Sequence, residues 1–176
     1  MWSIRYSDGS ANAYRLWQAG DGSRSVDMNG DFRGGIGQVV TGLSAGTTYD
    51  LSFLMSKNPV LPTATMDVLW LGADPGASFF TVAPGTLFSF TGGNSSSNMM
   101  WAARSGSFVA TASSMFLGFR SLQTSTAFDI RAGAALDAVS LSPSAVSNVP
   151  EPSTNALMAG GLIAMLLAYR RRRSVR

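Results

Sequence analysis

Thr48-Tyr49-Asp50-Leu51-Ser52-Phe53 alternates apolar and polar side chains with a period of two. An extended chain points successive side chains to opposite faces, so Tyr49, Leu51 and Phe53 share one side and Asp50 and Ser52 the other. That is the signature of a strand with one buried and one wet face. Outward from it the chain keeps the same character. Further strands are expected at Trp2–Ser7, Ser25–Met28, Ile36–Thr41, Ala64–Leu71, Ser78–Val82, Leu87–Phe90, Met99–Ala102, Gly106–Thr111, Ser114–Ser121 and Ala135–Ser142, with the opening strand running on to Ser56. Turn signals such as Asn29-Gly30, Ala45-Gly46, Asp74-Pro75-Gly76, Pro84-Gly85 and Gly92-Gly93-Asn94 separate them. Phe116-Leu117-Gly118-Phe119 has no polar alternate and fits a strand buried on both faces. No strong amphipathic helix competes and no internal repeat is evident. Eleven short strands at this spacing predict an all-β chain, a two-sheet β-sandwich or jelly roll.

Composition narrows the chemistry. The chain has 176 residues, no cysteine and no histidine. Disulfides, zinc–thiolate sites and thiol nucleophiles are excluded, and so is a Ser-His-Asp triad. The only glutamate is Glu151 and the only lysine Lys57. Two carboxylates placed to flank a sugar would have to be two aspartates, and no spacing singles out a pair. These absences predict a protein that is not an enzyme. The net charge of +3 comes from five arginines in the last seven residues; residues 1–169 alone carry −2. The body therefore lacks the basic stripe that a nucleic acid would demand.

Residues 149–176 stand apart. Val149-Pro150-Glu151-Pro152-Ser153 opens them, and its prolines hold the backbone extended. An uncharged stretch follows, read as a membrane helix over Thr154–Tyr169. Its apolar core, Ala156–Tyr169, is 14 residues, shorter than the usual span of about 20. Arg170, Arg171, Arg172 and Arg173 then form a cytoplasmic stop, because positive charge is retained on that side. Ser142 to Asn148 reads as a polar linker. The expected organisation is a β-sandwich at 1–142, a linker at 143–148 and a tail at 149–176. A plain C-terminal anchor or an amphipathic surface helix is the other reading of the tail.

This order of proline motif, apolar helix and arginine cluster resembles the PEP-CTERM sorting signal of Gram-negative bacteria. The resemblance implies recognition by an exosortase, a membrane-embedded transpeptidase that cuts near the Pro-Glu-Pro. It also implies a transient stay in the inner membrane, then the cell surface or an exopolysaccharide matrix, as in a biofilm. A signal peptide is expected to accompany such a tail. None is visible in Met1-Trp2-Ser3-Ile4-Arg5-Tyr6, so the true start is expected further upstream.

The body resembles the choice-of-anchor C family. The residues that carry the likeness are Asp21 to Gly30, Gly35 to Val40, Leu43 to Phe53 and Ala135-Leu136-Asp137-Ala138-Val139-Ser140-Leu141. The family's domain is similar to galactose-binding-like jelly rolls. Its members usually open with a strand ahead of the Trp near position 2, and that strand is missing here. The stretch from Asp74 to Asn98 matches less well.

Candidate ligand residues follow. Asp21, Asp27 and Asp31 lie in oxygen-rich turns of the composition that suits Ca²⁺, and the jelly-roll resemblance implies that a late-strand Asp137 could join them at a structural calcium. The plainer reading is that these residues shape turns and cap backbone amides. Trp17 with Gln18, beside Asp21, would suit stacking on a sugar ring, as would Trp70, Trp101, Tyr6 or Tyr14; aromatics in a sandwich more often fill the core. Asn94-Ser95-Ser96-Ser97-Asn98 reads as a solvated loop, and Arg24 and Arg33 as surface partners of nearby aspartates. Two functions remain: a non-catalytic surface or matrix protein associated with exopolysaccharide, and a carbohydrate-binding module for a specific glycan.

Overall fold

The computed structural model describes residues 3–6, 17–29, 32–123, 131–145, 158 and 162–163. The chain divides into two compact units, Met1–Ser144 and Ala145–Arg176. Among the described residues the first unit is all-β, with nine strands: β1 (Ser3–Tyr6), β2 (Val26–Asp27), β3 (Gly34–Thr41), β4 (Thr48–Lys57), β5 (Thr63–Leu71), β6 (Thr86–Thr91), β7 (Ala102–Val109), β8 (Ser114–Ser121) and β9 (Ala134–Pro143). They form a five-stranded sheet in the order β1-β3-β8-β5-β6 and a four-stranded sheet in the order β2-β9-β4-β7. Every pairing is antiparallel. This is the expected two-sheet jelly roll.

Strand β4 behaves as its alternation requires. Tyr49, Leu51, Phe53 and Met55 are buried, while Asp50 and Ser52 are exposed. Phe53 stands edge-on to Phe88 at 5.0 Å and to Phe119 at 5.3 Å, so one ring from the four-stranded sheet meets two from the five-stranded sheet. Met66, Val68, Leu117, Leu136 and Ile36 complete the main core between the sheets. Trp70 stacks on Phe108 at 5.5 Å and donates its indole N–H to the Val109 carbonyl. It is therefore a core residue at the sandwich rim, not a free stacking platform. Tyr49 hydroxyl accepts the Ser44 N–H at 3.0 Å, tying the β3–β4 turn to the start of β4.

Two of the eleven expected strands are absent among the described residues. Where a strand is expected at Ser78–Val82, the chain instead forms a 3₁₀ helix, Gly76–Phe80, with Thr81 and Val82 turning just after it. Asp74 accepts the Gly76 N–H and Gly76 turns through a positive φ of 54°, which winds the chain rather than extending it. Met99–Ala102 and Gly106–Thr111 are not two strands; β7 alone spans Ala102–Val109, with Gly106 inside it opposite Leu51. Met100, at φ 50°, breaks the chain just ahead of β7.

In the second unit Met158, Leu162 and Ile163 are helical and exposed. The rest of the expected span over Thr154–Tyr169 lies outside the described residues, as do Val149–Ser153 and Arg170–Arg173. No helix among the described residues is long and apolar enough to cross a membrane.

Candidate functional site

A two-layer sandwich has two outer faces, and here they are finished differently. The middle of the five-stranded sheet's outer face is roofed by the segment around the 3₁₀ helix, while Thr63, Thr65, Ser89 and Thr91 pair their hydroxyls at its exposed β5–β6 edge. Gly35, Gly37 and Gly118 supply a floor without side chains, and Phe79 and Phe116 lie on it. A Cβ on Gly37 would come within 2.2 Å of the Phe116 ring, and one on Gly118 within 2.6 Å of Phe116 and 2.9 Å of Phe79. Leu69, Phe79 and Phe116 form a small cluster of their own, fully buried.

A charge pair locks that roof down. Asp67 and Arg120 face each other across β5 and β8. Arg120 Nε donates to Asp67 Oδ2 at 2.7 Å, Nη1 to the Phe79 carbonyl at 2.7 Å and Nη2 to the Val82 carbonyl at 3.0 Å. The Gly85 N–H donates to Asp67 Oδ1 at 2.8 Å. Both side chains are almost wholly shielded from solvent. A buried pair is tolerable only when its remaining donors and acceptors are met, as these are. Arg33, expected beside an aspartate, instead lies over the Phe80 ring at 5.2 Å and donates to the Phe80 carbonyl.

The outer face of the four-stranded sheet carries rows of short polar side chains. Asp50 of β4 lies between Ser107 of β7 and Ser142 of β9, and Ser52 between Ser105 and Ser140. All six are exposed. Neighbouring strands are about 4.8 Å apart and alternate residues about 7 Å, so the hydroxyls form a flat grid. Two hydroxyls hold the Asp50 carboxyl below the usual carboxylate value: first that of Ser144, and second that of Ser107. Ser107 donates to Asp50 Oδ1 at 2.8 Å, whereas the Ser144 oxygen has no partner in full hydrogen-bonding geometry.

One end of this grid is built up. The register of β4 on β9 shifts between Ser52 and Leu54, and Ala138 takes a φ of 49° at that irregularity. Beyond it Asp137 stands opposite Leu54, and its Oδ2 accepts the N–H groups of Gly20 and Asp21 at 2.7 and 3.0 Å. Gly20 thereby lies against Leu54 and the Trp101 indole, where a Cβ would come within 2.9 Å. Trp101 Nε1 donates to the Gln18 carbonyl at 3.2 Å. Trp101 is half-buried and Gln18 exposed. Trp17 is half-buried and donates to Ser25 Oγ at 3.0 Å.

Behind that end the loop expected to be solvated at 94–98 is anchored. Asn94 is buried, its Nδ2 donating to the Lys57 carbonyl at 2.7 Å and its Oδ1 accepting from Lys57 Nζ at 2.6 Å. Ser56 Oγ donates to the Met99 carbonyl. Lys57 is 1% exposed, and burial pulls its ammonium below the ordinary lysine value.

The aspartates singled out for calcium are partly brought together. Asp21 meets Asp137 through its backbone. Asp27, opposite Ala135, accepts from the Asn29 N–H through Oδ1 and from Asn58 Nδ2 through Oδ2. The Asp137 and Asp27 carboxylates thus cap amides. Among the described residues no three acidic groups are gathered as a metal would need; Asp31 lies outside them. The serine grid was not anticipated, although Asp50-Leu51-Ser52, Ser105-Gly106-Ser107 and Ser140-Leu141-Ser142 each repeat a polar-x-Ser pattern at strand parity.

No curated protein matches the chain. Among solved structures it is similar to the tandem CBM22-1–CBM22-2 domain of Xyn10C from Paenibacillus barcinonensis, with a TM-score of 0.50 at 15% identity over 86% of this chain and 43% of that one. It is also similar to the CBM22-1 xylan-binding domain of the same protein, with a TM-score of 0.49 at 14% identity over 83% and 87% of the two chains. TmCBM61, solved in complex with β-1,4-galactotriose, gives a TM-score of 0.48 at 11% identity over 81% and 88%. At such identities the likeness is one of fold. Residues 148–173 match the PEP-CTERM protein-sorting motif, so the chain carries that signal after a jelly-roll body.

Proposed function

We propose that this is an exported, non-catalytic glycan-binding protein, delivered by an exosortase-type transpeptidase to the cell surface or extracellular matrix of a Gram-negative bacterium. The body at 1–142 binds exopolysaccharide, and the segment from 149, with the motif at Val149–Ser153 and the stop at Arg170–Arg173, directs transit through the inner membrane. The observation that carries the glycan reading is the uncovered serine grid of the four-stranded sheet. Hydroxyls both donate and accept, as sugar hydroxyls do, and short side chains let a chain of rings lie close to the sheet. Trp101 and Gln18 close one end, with an apolar ring and an amide of the kind that orient a ligand. Trp17 supports that corner rather than lying on the grid. The jelly-roll likeness to carbohydrate-binding modules agrees with the reading, and so does a sequence without histidine or paired glutamates. A structural Ca²⁺ held by Asp21, Asp27 and Asp137 is not needed for it.

The test is Ser52→Phe in the full chain, kept in mild detergent and run by affinity electrophoresis through gels containing soluble polysaccharides. Ser52 is exposed, so the variant keeps the parent's melting temperature within a degree or two, and retardation by the bound polysaccharide is lost. Unchanged retardation would place binding elsewhere. If the parent is instead a dimer by light scattering and Ser52→Phe makes it a monomer, the face joins two copies of the chain.

A further inference from the structure

We infer that the serine grid selects neutral glycans and discriminates against acidic ones, with Asp50 as the discriminating residue; this rests on the glycan-binding reading above. Asp50 sits in the middle strand of the grid, flanked by Ser107 and Ser142, and is the only charged side chain in its two rows. The Ser144 and Ser107 hydroxyls hold its carboxyl below the usual carboxylate value, and Ser107 donates to it directly. At the far end Asp137 adds a second negative charge, and the loop that packs on Trp101 carries one exposed acid, Asp21, and one exposed base, Arg24. Arg104, the cation of β7, points to the other side of its strand and donates to the Ser89 carbonyl of β6. The two rows themselves hold no cation to pair with a uronate or sulfate.

An ionised carboxylate accepts hydrogen bonds from sugar hydroxyls more strongly than a neutral group does. The same charge repels a ligand carboxylate. For a uronate seated about 7 Å away, the penalty is about threefold in affinity in a water-like dielectric and about fiftyfold at a protein-surface dielectric. Repulsion accumulates with every ring that carries a charge, so an acidic polymer is excluded more strongly than a single uronate.

The experiment uses matched oligosaccharides that differ only by oxidation at C6: β-1,4-glucan, β-1,4-mannan and β-1,4-galactan, each with its own C6-oxidised, uronate form. The full chain is titrated in detergent at low and high salt. The neutral member of at least one pair binds, and its oxidised partner binds at least about threefold more weakly. High salt and Asp50→Asn each narrow that gap, and Asp50→Asn also weakens the neutral ligand. An oxidised member that binds as tightly as its neutral partner overturns the discrimination; if Ser52→Phe still abolishes that binding, the glycan-binding reading survives. Absence of binding to every neutral and oxidised member overturns both.

Discussion

The two outer faces of this sandwich start from the same architecture and end as opposites. On the five-stranded sheet, glycines at the pleat crests admit Phe79 and Phe116, and Arg120 fastens the covering segment by its carbonyls. On the four-stranded sheet the equivalent positions are serines, and Asp50 is held by neighbouring hydroxyls rather than by a cation. The covered middle of one face contributes stability and is closed to ligands. An open polar face contributes little to stability and is available for recognition. The contrast shows that outward-facing strand positions are not interchangeable: glycine with a buried ion pair makes a floor, and serine leaves an open polar surface.

Removing the clasp is the strongest way to break this contrast. Arg120→Ala leaves Asp67 buried without its cation and frees the Phe79 and Val82 carbonyls. The expected loss is about 3–5 kcal/mol, read by urea denaturation, with new proteolytic cuts around residues 76–82. A variant as stable as the parent would show that the roof is held by its aromatic contacts alone. Spoiling the floor is milder. In Gly35→Ala the new methyl would meet the Phe119 carbonyl oxygen at 2.5 Å and the Phe79 ring at 2.6 Å. The expected cost is about 1–3 kcal/mol, whereas Ser105→Ala on the open face changes stability by less than about 0.5 kcal/mol. Equal melting temperatures for these two would erase the distinction between the faces.

The smallest effect concerns the end of the grid and is read through pH. Lys57 has a folded-state value below its ordinary 10.5, so in the window between the two the unfolded chain binds more protons than the folded one. Stability therefore rises with pH through that window and levels off above 10.5. Lys57→Met removes this alkaline rise, visible as a flatter plot of denaturation midpoint against pH. Persistence of the rise in the variant would assign it to another group.

Local pattern made one strand face legible at a time. The alternation in Thr48–Phe53 gave the buried and wet sides of β4 correctly, and turn residues separated most strands. What sequence could not supply was register. Nothing local says that Ser105 and Ser140 flank Ser52, because that alignment is fixed by pairing between strands about fifty and ninety residues away. The roof was missed for a related reason. Ser78–Val82 has an apolar content that fits a strand, but its carbonyls are satisfied by Arg120, some forty residues on, and not by a neighbouring strand. Likewise Asn94 sits in a run of serines that reads as solvent-exposed, yet it is drawn inward by Lys57. Sequence neighbours single out Trp17 with Gln18, whereas the fold also brings Gly20, held by Asp137, onto Trp101.

The burial of Lys57 has a consequence under the glycan-binding reading proposed above. Reducing ends condense with exposed primary amines and, with time, glycate them. Lysine side chains are the usual targets, and this chain has one, shut inside the sandwich with its nitrogen held by Asn94. The chain's other side-chain cations are all arginines, which hold charge without offering a primary amine. Such a chain can remain in a concentrated polysaccharide without its lysine being drawn into that slow chemistry.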